Sequence, residues 1–349
     1  MRNVRKHSKS RNKQNVIKIL FAVLVIVLVV LFLNTKLQEK NEKEVGAVGG
    51  SDVKDTVAPE LLLNEEKIVI AIGEKYQIKA TATDDVDGDI TSKIAVSELD
   101  TSKAGDYTVT LTVTDNAGNK AEKTQKVIVR EELSQGLPVL MYHFFYDNSK
   151  YWKQDNNWLK ISDFEEQVKY MTENDFYFPT WDEVSKYIDG EIKLPSKSVV
   201  LTVDDGDDSF FDLAVPVLQK YKVPATSFVI TSWYGGRYDP KMEYVVWESH
   251  SDKMHEAGAN GKGKMVNYTY DQIVEDVKYS SAILGGANVF CYPFGHYNDT
   301  AIKALKDSNY ILAFTVEGGR VTKKSNKFKL PRVRVSDGNS LNYFIKSIS

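Results

Sequence analysis

The sequence predicts an α/β chain. A domain of alternating strands and helices, a βα barrel or an open parallel sheet, follows a small all-β sandwich and one N-terminal transmembrane helix. Three observations carry this reading. From residue 133 onward, strand-like apolar runs alternate with amphipathic helix-like segments. Before that, period-two patterning dominates, most clearly in Tyr107-Thr-Val-Thr-Leu-Thr-Val-Thr114, where Val109, Leu111 and Val113 alternate with threonines. And Ile19–Leu33 is a run of fifteen apolar residues without interruption.

The N-terminal segment comes first. Residues 1–18 carry seven bases and no acid, whereas the rest of the 349-residue chain holds 38 bases against 48 acids. Positive charge confined to one short end disfavours nucleic acid as a partner. As a helix, residues 16–33 span roughly 26 Å, the short end for a bilayer core. The basic flank places residues 1–15, His7 among them, in the cytoplasm and everything past Leu33 outside, as a signal anchor on a Gram-positive cell surface. A cleaved signal peptide is the competing reading; the long apolar stretch and the lack of a small-x-small site in Asn34-Thr-Lys-Leu-Gln-Glu-Lys40 count against it. Residues 34–56 are polar and read as a tether. The single cysteine, Cys291, excludes a disulfide scaffold and a thiolate zinc cluster.

Residues 57–131 read as the sandwich. Ile68–Ile72 and Tyr76–Ala82 are strands split by Gly73; Asn116-Ala-Gly-Asn119 is a turn, and Thr124–Val129 the strand after it. Together with Asp84-Asp-Val-Asp-Gly-Asp-Ile-Thr91 and Gly105-Asp-Tyr, these motifs resemble the bacterial immunoglobulin-like modules of surface proteins. The acids at 84–89 invite a Ca²⁺ reading, but the glycine is not at the sixth position of an EF-hand loop and no Glu closes it, so a solvated turn is expected. Residues 51–132 hold 17 acids against 10 bases, most of the chain's acidity.

Residues 132–349 form the last domain. Pro138–Tyr142, Ser198–Val203, Ala225–Ile230, Phe290–Tyr292 and Ile311–Val316 read as strands. Ser162–Tyr170, Ser209–Tyr221, Asp271–Leu284 and Asp299–Asp307 read as helices, with a capping box expected at Ser162 and Glu165. In such folds chemistry sits at the C-terminal ends of the strands.

The strongest constellation is Val199-Val-Leu-Thr-Val-Asp204-Asp205-Gly206, two carboxylates directly after a buried strand. Adjacent acids near a low-dielectric core are costly unless a cation holds one ionised, leaving the other as a general base. The plain alternative is a turn rich in helix-capping acids, to which Asp207 and Asp208 lend weight. His250 and His255 are five apart, about 140° on a helix, so the pair chelates only from a loop or a helix start. With one Asp they make a three-ligand site of hydrolytic type. Cys291-Tyr-Pro-Phe-Gly295 is a turn after a short strand, and His143 ends the domain's first strand; taken singly, each has an ordinary structural reading. Trp181, Trp233, Tyr234 and Trp247 are expected in core packing before sugar stacking.

In combination, these motifs over residues 137–336 resemble the polysaccharide deacetylases, carbohydrate esterase family four or NodB homology domain. Thr202-Val-Asp-Asp-Gly206 stands where the family has Thr-Phe-Asp-Asp-Gly, and the histidine pair has one residue more than the usual spacing. Cys291 stands where arginine is common, and Leu330-Pro-Arg332 replaces the late Leu-x-His motif. These departures are similar to those of the subgroup acting on poly-N-acetylglucosamine, which shares the Pro-Val-Leu-x-Tyr-His opening. The resemblance implies a distorted (β/α) barrel that hydrolyses the acetamide of N-acetylglucosamine units to amine and acetate. It implies Asp205, His250 and His255 as ligands of Zn²⁺, or of another divalent metal, Asp204 as general base and His143 as general acid. Tyr292, Pro293, Phe294 and Gly295 would line the substrate and oxyanion site, with a backbone N–H near Tyr292 as a donor. Arg332 is a candidate to orient Asp204, the alternative being a structural ion pair. His296 is placed at the cleft edge. The expected partners are an N-acetylglucosamine polymer and the membrane; the rival function is a non-catalytic glycan-binding or adhesin-type surface protein.

Overall fold

The structure is a computed structural model describing residues 54–258 and 260–349. The basic tail with His7, the expected span at 16–33 and all but the last three residues of the tether lie outside the described residues. Among the described residues no helix is long and apolar enough to cross a membrane.

The first domain has seven strands: β1 (Glu60–Leu63), β2 (Lys67–Ala71), β3 (Ala80–Asp84), β4 (Gly88–Asp89), β5 (Ala95–Val96), β6 (Gly105–Thr114) and β7 (Lys120–Arg130). They form a three-stranded sheet, β1-β3-β4, and a four-stranded sheet, β2-β7-β6-β5. Alternation in β6 buries Val109, Leu111 and Val113, while β6 pairs antiparallel with β7 from Gly105 opposite Val129 to Thr114 opposite Lys120. Leu61 and Ala82 from the other sheet close the core on Val109 and Val127. Two expectations change. Tyr76–Lys79 belongs to no strand, and β3 begins at Ala80. The turn after β3 is not simply solvated either, because Asp84 is buried.

The second domain begins with β8 (Val139–Tyr142), β9 (Phe144–Tyr146) and β10 (Trp158–Lys160), then α1 (Ile161–Glu173) and α2 (Trp181–Asp189). β11 (Val200–Val203) leads through a π turn at Phe210–Ala214 into α3 (Val215–Tyr221), then β12 (Ala225–Val229) and the short α4 (Thr231–Tyr234). β13 (Val245–Ser249), α5 (Tyr270–Ile283), β14 (Val289–Cys291), α6 (Asp299–Asp307), β15 (Leu312–Gly318), β16 (Leu330–Arg334) and α7 (Leu341–Ile348) complete it. β8 and β11 to β16 are all parallel, and β16 pairs back onto β8, closing the ring. Every residue of β11 and β12 is buried, as expected of parallel strands covered on both faces.

Local chemistry sets the helix starts. Thr269 and Gln272 form a capping box at α5. The box expected at Ser162 does not form: β10 runs straight into α1 at Ile161, so Ser162 already lies inside the first turn and donates to Asp163. β13 and β16 were not foreseen, since Glu248 and Ser249 interrupt one apolar run and Pro331 with two arginines the other. Both domains belong to one compact unit, Ala58–Ser349. Asp175 joins them, pairing with Lys67 at 2.6 Å and Arg130 at 3.5 Å, and the Lys193 amide donates to Glu74 at 3.0 Å.

Candidate active site

The two acids after β11 turn apart. Asp204 continues the strand ladder, its N–H donating to Tyr142 O at 3.0 Å. Asp205 then adopts a left-handed φ of 72°, followed by Gly206 at 79°. A Cβ on Gly206 would meet Val229 Cγ1 at 3.1 Å and Cα at 3.3 Å, so glycine lets this turn lie against β12. The carboxylates therefore face different partners.

Asp204 faces Arg332. The guanidinium is 1% exposed and grips the carboxylate in two parallel bonds, Nη1 to Oδ1 and Nη2 to Oδ2, each 2.7 Å. Its other donors reach Thr315 O at 3.0 Å, Thr202 Oγ1 at 3.1 Å and Cys291 Sγ at 3.1 Å. Burial alone would raise the Asp204 carboxyl; the Arg332 charge and its bonds overturn that and hold it well below the usual carboxylate range. His143, at the end of the neighbouring strand β8, places Nε2 at 3.7 Å from Asp204 Oδ2. Burial lowers the His143 pKa, with Asp204 opposing, so the neutral imidazole prevails near pH 7.

Asp205 faces the two histidines. Its Oδ1 lies 3.5 Å from His250 Nε2 and 3.4 Å from His255 Nε2. His250 Nδ1 is 2.8 Å from Cys291 O; a carbonyl only accepts, so Nδ1 carries the proton and the Nε2 lone pair faces Asp205. Asp205 Oδ1 is buried without a hydrogen-bond partner. Burial, then the charge of Asp204, pushes the Asp205 carboxyl up to about 7. Burial, then His255, pushes His250 down to about 3. Two imidazole Nε2 atoms around an orphaned carboxylate oxygen, all within 4.8 Å, fit a divalent cation.

The five-residue spacing of the histidines is absorbed by a loop. Ser251 turns the chain with φ 73°. Asp276 of α5 accepts from the amides of both Asp252 and Lys253 at 2.8 Å, and Thr231 Oγ1 donates to Asp252 Oδ1 at 2.8 Å. Sequence reasoning missed Asp276: it sits 21 residues beyond His255 in an ordinary amphipathic helix, and only its burial marks it.

The turn after β14 flanks the same site. Phe294 has φ 57° and its half-exposed ring stacks on His255, centroids 4.3 Å apart. Gly295 has φ 71°, and a Cβ there would lie 2.4 Å from Val316 Cγ2 and 2.9 Å from Val316 N. Tyr292 itself offers no donor to the expected oxyanion site. Its N–H is taken by Phe314 O at 3.0 Å in the strand ladder and its hydroxyl donates to Phe328 O at 3.1 Å, so neither group is free for an oxyanion. Pro293 has no N–H, and the Gly295 amide closes the turn onto Tyr292 O at 2.7 Å. Trp181 and Trp247 are buried in the core as expected, but Trp233 is 55% exposed and meets His255 edge-on at 5.7 Å. Tyr234 donates to Asp207 at 3.2 Å, and His296 Nδ1 accepts the Gly263 amide at 2.9 Å.

Residues 191–313 match the polysaccharide deacetylase family, and residues 61–129 match the bacterial surface protein Ig-like domain. A poly-beta-1,6-N-acetyl-D-glucosamine N-deacetylase of Staphylococcus aureus (strain MRSA252) is 30% identical over 213 residues, covering 56% of this chain and 72% of that protein. The solved structure of IcaB from Ammonifex degensii aligns with TM-score 0.53 at 25% identity, covering 62% of this chain and 98% of that one. The Streptococcus pyogenes deacetylase PplD, solved in complex with acetate, aligns with TM-score 0.54 at 22% identity over 62% of this chain and all of its own, a likeness of fold.

Proposed function

This chain belongs to the polysaccharide deacetylases, hydrolases of amide bonds, and carries a bacterial Ig-like domain ahead of the catalytic one; on that premise we propose that it removes acetyl groups from poly-β-1,6-N-acetylglucosamine in a metal-dependent reaction. The observation that carries the reading is the convergence of Asp205, His250 and His255 beside the Asp204–Arg332 pair and His143. The substrate follows the printed activity of the Staphylococcus aureus relative.

A divalent cation at Asp205, His250 and His255, Zn²⁺ by this donor set, supplies Lewis acidity that polarises an acyl oxygen and eases the ionisation of water. The residues of the chain do the rest. Asp204, kept ionised by Arg332, accepts a proton from the attacking water. Arg332 holds both carboxylate oxygens, so the base stays aimed. Because Arg332 depresses the proton affinity of Asp204, the proton does not stay there; His143, whose Nε2 is 3.7 Å away, receives it through an intervening water. His143 then protonates the leaving amine. One C–N bond breaks, one C–O bond forms, one water is consumed, and acetate and the amine leave. Trp233 and Phe294, both exposed and both against His255, are walls against which a sugar ring rests.

The apolar run at 19–33 with its basic flank supports a single-pass anchor that holds the catalytic domain outside the cell. A mature N-terminus found beyond Leu33 would overturn it. For the substrate, the test is acetate release from poly-β-1,6-N-acetylglucosamine, peptidoglycan and chitin oligomers. Faster release from the first supports the assignment; faster release from either of the others reassigns the substrate. A glycan-binding or adhesin function without catalysis predicts no acetate from any of the three.

A further inference from the structure

The Ig-like domain holds two carboxylates that the deacetylase chemistry does not use. Asp84 ends β3 and Asp115 follows β6, one from each sheet, and they are 8% and 6% exposed. Three of their four oxygens are spoken for. Asp84 Oδ1 accepts the amides of Val86 at 3.0 Å and Asp87 at 2.9 Å. Asp115 Oδ1 accepts the amides of Gly118 at 2.6 Å and Asn119 at 2.8 Å, and its Oδ2 accepts the Asn119 side-chain amide at 2.8 Å. The fourth, Asp84 Oδ2, is buried and has no hydrogen-bond partner.

The two carboxylates bring oxygens within 4.8 Å of each other. Lys93 pairs with Asp87 at 3.7 Å, but among the described residues no lysine or arginine pairs with Asp84 or Asp115. Two buried anions so close repel one another, and an orphaned buried acceptor costs about 1–3 kcal/mol, more when charged. A cation between them removes both penalties.

We propose that Asp84 and Asp115 hold a calcium ion that clips the β3–β4 turn to the β6–β7 turn across the sandwich. Oxygen donors with no imidazole or thiolate select a hard cation. Irregular turns suit the flexible coordination of Ca²⁺ better than the octahedron that Mg²⁺ demands. Asp87 already ties the same two turns, accepting the Asn116 amide and side chain at 2.7 Å each, so the ion adds to an existing junction. With two carboxylates the site belongs to the weak class, with Kd about 10⁻⁴–10⁻³ M.

The test is equilibrium dialysis of the full chain against radiolabelled calcium, with thermal unfolding and acetate release measured on the same samples. Asp84→Asn is the informative variant, since asparagine keeps an oxygen for the two turn amides while removing the charge. The expected result is one calcium bound per chain and a higher unfolding temperature in calcium. Affinity falls at least about tenfold in Asp84→Asn, with acetate release unchanged. The proposal is overturned if the wild type takes up no calcium at about 10 mM, well above that class, if Asp84→Asn binds as well as the wild type, or if magnesium binds equally. No acetate release from the wild type, with its calcium binding intact, would count against the deacetylase reading and leave this site standing.

Discussion

Asp204 and Asp205 are neighbours in the chain with opposite electrostatics, and the difference lies in what each carboxylate meets. Arg332 grips Asp204 through both oxygens, whereas Asp205 faces imidazoles and an unmet demand for positive charge. Removing one partner of a buried pair strands the other, so Arg332→Met should cost about 3–5 kcal/mol in urea unfolding. Adding Asp204→Asn to Arg332→Met should recover much of that loss, because the stranded charge is gone. Equal stability of Arg332→Met and wild type would show that the pair does not act as described. The doublet at 204–205 was legible because two acids directly after an apolar strand are expensive without a use. Arg332 was legible only as a candidate: its contacts to Asp204 and Cys291 bridge 128 and 41 residues, and no local pattern encodes them. Which backbone N–H near Tyr292 faces the site was not legible for a related reason, since the sequence does not say which amides the neighbouring strand β15 consumes.

At the level of elements, the histidine loop and the turn after β14 set the shape of the site. Asp276 clamps two consecutive amides of the loop between His250 and His255. Such an outer contact is worth about 10–100-fold in metal affinity. Asp276→Ala should lower zinc affinity by that order, read by competition with a chelating dye, while circular dichroism shows α5 intact. Unchanged affinity would make Asp276 a purely structural residue. Gly295→Ala tests the second element. Its left-handed φ and the 2.4 Å approach to Val316 Cγ2 predict a displaced Phe294 and a lower melting temperature, with KM for polymer raised more than zinc affinity is lowered. β11 and β12 were readable, because each is a short run of apolar and small or β-branched residues set off by turn signals. β13 and β16 were not, because the polar residues that interrupt them, Glu248 and Arg332, are buried with partners supplied by other elements. The five-residue histidine spacing ruled out one helical face and pointed to a loop, which is how the chain resolves it.

At the scale of the whole molecule, two domains were legible from their periodicities, two against a strand-helix alternation. Their junction was not, since Lys67, Arg130 and Asp175 look like any surface charges in sequence. These pairs are partly exposed, so Asp175→Ala should change global stability by no more than about 1 kcal/mol. Acetate release should be unaltered, while limited proteolysis near the junction speeds up; a large loss of activity would mean that the sandwich sets the geometry of the catalytic ring. The central claim is that this fold brings residues from five separate strands' ends and their loops to one metal-assisted amide hydrolysis. Its most direct test is acetate release from poly-β-1,6-N-acetylglucosamine together with bound-metal content, for wild type, Asp204→Asn and His250→Ala. The account predicts that Asp204→Asn keeps its metal and loses about 10²–10⁴-fold in rate, and that His250→Ala loses metal and rate together. Wild-type rates from both variants would contradict it.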